Sequence, residues 1–69
     1  MLSVMKNARF TKNSDVTLII NGKMEGDFFK AGEGIVQIDN AKVQGDQTIL
    51  ICNGGKRTYI VPTSHFEFV

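Results

Sequence analysis

The chain holds one cysteine, one proline, one histidine and no tryptophan in 69 residues, and its longest apolar stretches run to four or five residues. Each shortage excludes something. A lone Cys52 cannot close an internal disulfide, and one thiol with one imidazole, His65, falls short of the clustered soft ligands that a tetrahedral zinc site requires. We expect neither metal nor cofactor. No apolar run approaches the ~20 residues of a membrane-crossing helix, and the N-terminus lacks the apolar core of a signal peptide. The expectation is a chain with no membrane segment in a reducing, cytoplasmic setting. A net charge of +1 gives no global pull toward polyanions, so any such attraction must come from local clusters.

A chain of this length makes one small domain, residues 1–69, which buries roughly 60% of its unfolded surface and is marginally stable. Without disulfide or metal, a closed barrel or self-association must supply the remainder.

What is present reads as β structure. "VTLII" (Val16 to Ile20) runs directly into Asn21-Gly22, a strong hairpin signal, and "MEGDFF" returns. A two-residue loop would set Leu18 opposite Glu25 and Val16 opposite Asp27. A three-residue loop pairs Ile20 with Met24, Leu18 with Gly26 and Val16 with Phe28, and this register is expected because it keeps acids off the apolar face. Gly26 then marks a bend or a close backbone approach. "KAGEG" (Lys30 to Gly34) is a second turn, and "IVQID" a third strand with Val36 and Ile38 on one face. "TILIC" and "RTYIVP" form a late hairpin around Gly54-Gly55, pairing Ile49 with Ile60 and Leu50 with Tyr59. Their nearly continuous apolar character calls for cover on both faces. Pro62 breaks the run, and "HFEF" closes the chain as a strand with Phe66 and Phe68 on one face. "SVMKNARF" has polar and apolar residues at helical spacing, with Ser3 as a cap, so a short N-terminal helix is an option. The sum is an all-β barrel of five to six short strands.

The stretch "CNGGKRTYIVP" (Cys52 to Pro62) has glycines and cations but joins strand to strand, without the G-x-x-x-x-G-K-[ST] spacing or the helix of a phosphate loop. Cys52 lies in an apolar run as a buried, inert thiol. His65 alternates with Phe66 and reads as a solvated surface residue. Glu25, Asp27, Glu33, Asp39 and Asp46 fall in turns or outward strand positions, with no base set against them, so an enzyme is not expected.

With these residues in place, the pattern resembles the Sm-like (Hfq-like) family of small barrels: "VTLIING", a glycine inside the second strand, "IVQIDNA", and a late hairpin followed by a short closing strand, together covering most of the chain. The tail "YIVPTSHFEFV" is also similar to the closing strands of SH3-like barrels. The Sm-like resemblance implies subunits joined edge to edge in a ring, with RNA held by the loops after the second and fourth strands. By position these are Lys30 to Gly34 and Asn53 through Arg57.

Two functions follow as expectations. In the first, a homo-oligomer binds RNA or another single-stranded nucleic acid, with Lys30, Asn53, Lys56 and Arg57 at the backbone and Tyr59 stacking a base. In the second, a non-enzymatic inhibitor or adaptor offers an apolar strand or edge to a protein partner, motivated by the adjacent Phe28 and Phe29, which must point to opposite faces.

Overall fold

The computed structural model describes residues 6–69, in which seven antiparallel strands form one sheet. In chain order they are β1 Lys6–Phe10, β2 Ser14–Ile20, β3 Lys23–Phe29, β4 Gly34–Gln44, β5 Gln47–Cys52, β6 Arg57–Pro62 and β7 Phe66–Phe68. Across the sheet the order is β3-β2-β6-β5-β4-β1-β7. Single 3₁₀ turns at Asn53–Gly55 and Thr63–His65 lead into β6 and β7. Among the described residues no helix is long and apolar enough to cross a membrane.

The all-β expectation holds, while the closed barrel of five or six strands does not. β3 and β7 are edges that do not pair with each other. Chemistry at β3 explains the open seam: Glu25 and Asp27 lie opposite Leu18 and Val16 on the inner face, and closing the sheet would desolvate two carboxylates. The sheet curls nonetheless. Phe10 of β1 stacks on Phe29 of β3 with ring centroids 4.6 Å apart, and Phe66 and Tyr59 pack around the pair. Beneath them Ile38, Leu50 and Val61 are almost fully excluded from solvent.

Several local expectations are corrected. Residues 6–10 are strand, with Ala8 and Phe10 buried in alternation and β4 and β7 paired on either side; Ser3 lies outside the described residues. The β2–β3 hairpin uses the two-residue turn, pairing Ile20 with Lys23. Asn21 and Gly22 both take positive φ, the conformation whose twist matches the flanking strands, and this local preference outweighs the placing of acids on the inner face of an edge strand.

β4 fuses "IVQID" and "AKVQ" into one strand with two irregularities. Gln37 at φ 59° resets the alternation, so Ile35 and Ile38 both point inward while Val36 is 66% exposed, not paired in facing with Ile38 as expected. The expected close approach belongs to a different glycine. A Cβ on Gly26 would meet open space, whereas one on Gly34 would collide with the Ala8 carbonyl oxygen of β1.

The β5–β6 register is the expected one, Ile49 with Ile60 and Leu50 with Tyr59. Thr48, Leu50, Cys52, Tyr59 and Val61 form the buried face, and Ile49, Ile51 and Ile60 stay half-buried on the other, so cover is complete on one face only. Pro62 ends β6 as expected. His65, however, sits in the turn before β7, its Nδ1 2.9 Å from the hydroxyl of buried Ser14, and is a partner for a core polar group rather than a solvated side chain.

Candidate nucleic-acid interface

Strand register brings together cations that are far apart in sequence. Lys23 pairs with Ile20, Ile20 with Arg57, Arg57 with Cys52, Cys52 with Ile38, and Ile38 with Lys6. Paired residues of an antiparallel sheet share a face, so this row carries Lys23, Arg57 and Lys6 along one end of the inner surface, with strands roughly 4.8 Å apart. Its middle members, Cys52 and Ile38, are buried and close the core; the three cations are exposed. Lys56 adjoins the row in the preceding turn. Lys6 is further positioned by the Phe68 ring, with Nζ 5.1 Å from its centroid.

The remaining candidates distribute differently. Asn53, Lys56 and Arg57 lie together at this end, but Lys30 does not. Lys30 follows Phe29, which pairs with Ser14, at the opposite end of β2 from Ile20, roughly 20 Å away along the strand. There its backbone N–H is held by Glu33 Oε1 at 2.7 Å. Tyr59 is 7% exposed, opposite Leu50 and Leu18 and edge-on to Phe29, so its ring is core and offers no face to a base. Arg9 is paired with Glu67 at 2.9 Å.

Beside the basic row lies a cleft of about 450 Å³ lined by Val36, Gln37, Asp39, Cys52, Asn53, Gly54 and Arg57. Its two lips are tied together. Asp39, the extra residue where β4 slips against β5, accepts the Gly54 backbone N–H on Oδ2 at 2.6 Å. Gln37 is fixed by Asn7, whose Oδ1 accepts its N–H at 3.1 Å. The non-glycine residues with positive φ among the described residues are Asn21, Gln37 and Asn53, and the last two line this cleft. At the cleft floor, burial pushes the Cys52 thiol above its ordinary range; the Arg57 charge opposes this and the Asp39 carboxylate reinforces it. The thiol is therefore a neutral wall at physiological pH, as its apolar surroundings in sequence implied.

Comparison with protein families, with curated proteins and with solved structures returns no match for this chain.

The tip residues stand out in the sequence, whereas Gln37, Asp39 and Lys23, and the place of Lys6 in the same row, do not. Lys23 and Lys6 join Arg57 in one row only through pairing across the sheet. A signal for Gln37 was available: isoleucines at 35 and 38 are three apart, which strict alternation cannot bury together without an extra residue.

Proposed function

We propose that this chain is a small, non-enzymatic nucleic-acid-binding module that holds the backbone of single-stranded RNA along the row of Lys23, Arg57 and Lys6 with Lys56 beside it, and that it acts as a homo-oligomer. The observation that carries the reading is the row itself: four exposed cations gathered at one end of the sheet in a chain whose net charge is only +1. Phosphate contacts need no deep pocket and no aromatic platform, and so survive the burial of Tyr59. The resemblance to Sm-like barrels makes RNA the strand to test first. Self-association is supported by the outer face, where Ile49, Ile51 and Ile60 remain half-buried and Met24 is 73% exposed.

Fluorescence anisotropy with short single-stranded RNA tests the reading. Four phosphate contacts give a slope of log K against log salt of about −3, a loss of about 50-fold between 50 and 200 mM. A flat salt response, or no binding at low salt, rejects it. Light scattering reads the assembly, and a strict monomer removes the oligomer from the proposal.

The second reading, a protein-interaction module, is favoured by the edge strand β3, where Met24 and Phe28 are exposed. It is opposed by Asp27, whose own Oδ1 accepts the outward Phe28 N–H at 2.8 Å and so occupies a group that an added strand would need.

A further inference from the structure

We infer that the cleft between the Gln37–Asp39 segment and the Asn53-Gly54 turn accepts one guanine base of the bound strand, an inference that rests on the nucleic-acid reading and assigns that site its base preference. Arg57 and Asp39 line the same cleft, yet no ion pair joins them, and among the described residues the one salt bridge is Arg9–Glu67. A guanidinium fork and a carboxylate oxygen are thus both open to a ligand, since Asp39 commits only Oδ2 to Gly54. Few ligands satisfy both. The four common bases differ in how donors and acceptors are grouped along their edges, and guanine sets two acceptors, O6 and N7, beside two donors, N1–H and the N2 amine. Its acceptor pair matches the arginine fork, which at a guanine reads the base in place of a phosphate, and its two donors converge on the carboxylate oxygen that Asp39 leaves free. Adenine puts its N6 amine beside N7 and meets the fork with a donor, and uracil separates its two carbonyls by N3–H; cytosine has an adjacent acceptor pair, O2 and N3, but sets only the single N4 amine beside it where guanine has two donors.

The cleft is also prepared for a ligand. At about 450 Å³ it falls within the range of small-molecule sites. Gln37 at φ 59° and Asn53 at φ 53° hold left-handed backbone on opposite lips, conformations that cost energy in residues other than glycine and gather at ligand clamps. The hydrogen bonds from the Gln37 N–H to Asn7 and from the Gly54 N–H to Asp39 keep both lips in place before any base arrives. Their side-chain amides, each with a donor and an acceptor, complete the lining. Lys56, exposed in the turn between Gly54 and Arg57 of the lining, is the cation available to a flanking phosphate.

The test compares RNA hexamers UUUGUU, UUUAUU, UUUCUU and UUUUUU by anisotropy at about 50 mM salt, with an inosine hexamer and free GMP as further arms. The expected result is a preference for the guanine hexamer of about tenfold or more, with inosine, which lacks the N2 amine, in between. Asp39→Asn brings the four hexamers to within about twofold of one another without abolishing binding. In amide NMR spectra, GMP shifts Gln37, Asn53 and Gly54 and AMP does not, which separates the base from the strand that carries it. Equal binding of all four hexamers overturns the guanine pocket and leaves the basic row standing. Binding of none overturns both. GMP shifts centred elsewhere overturn the location, and this map and the wild-type ranking decide the matter even if the Asp39 variant is unfolded.

Discussion

The rings of Phe10 and Phe29 lie 4.6 Å apart and within 5° of parallel, although β1 and β3 stand five strand positions apart in the sheet. In a flat sheet that separation would be about 24 Å. The stacked pair therefore bridges the ends of a strongly curled surface and does across the open seam what backbone pairing does in a closed barrel.

Replacing Phe10, which is 1% exposed, tests this bridge. Phe10→Leu is expected to cost about 1–2 kcal/mol, and Phe29→Leu less, because Phe29 is only half-buried. A double-mutant cycle in urea should show coupling of about 0.5–1.5 kcal/mol; additivity would mean that the seam is held by something else.

Two glycines should respond in opposite ways to the same substitution. Gly34→Ala drives a methyl group into the Ala8 carbonyl oxygen and is expected to lower stability by about 2 kcal/mol, since backbone must move on a doubly paired strand. Gly26→Ala enters open space without positive φ and should be neutral or stabilising by up to about 1 kcal/mol. Thermal melts of the two variants separate these outcomes.

Asp27 is expected to keep β3 from recruiting other strands. Asp27→Ala frees the Phe28 N–H on the edge and should raise concentration-dependent association in light scattering, whereas Asp27→Asn, which keeps an acceptor at the same atom, should not. Identical behaviour of the two variants would assign the effect to charge instead.

The Cys52 thiol holds its proton more tightly in the folded chain than in the unfolded one, because burial raises its pKa. An acid whose folded pKa is raised contributes nothing unfavourable below the unfolded value and costs stability above it, as the unfolded thiol ionises first. Wild-type stability should therefore fall from pH 8 to pH 10 more steeply than that of Cys52→Ala, and the folded thiol should resist alkylation near pH 7.5. Arg57→Gln removes the opposing charge and should push the thiol higher still. Rapid alkylation of the native protein would contradict the burial.

Within the basic row, Lys23→Gln and Arg57→Gln should each make the salt slope of binding to a guanine-free strand such as UUUUUU shallower by about 0.7, while Lys30→Gln leaves it unchanged. An equal effect from Lys30 would place the strand along a different surface.

The sequence by itself determined strands β2, β3, β5, β6 and β7, the presence of a turn at Asn21-Gly22 though not its two-residue length, the β5–β6 register and the break at Pro62, because each is set by residues within a few positions of one another: turn propensity, alternation, and the missing N–H of proline. It also placed Cys52 inside. Only the tertiary structure decided which cations stand together, that Tyr59 faces the core, that Gln37 and Asp39 line a cleft, and that the sheet stays open. These depend on pairings between strands distant in the chain and on two single-residue irregularities in β4, each of which turns side chains to a new face without leaving a periodic trace in composition.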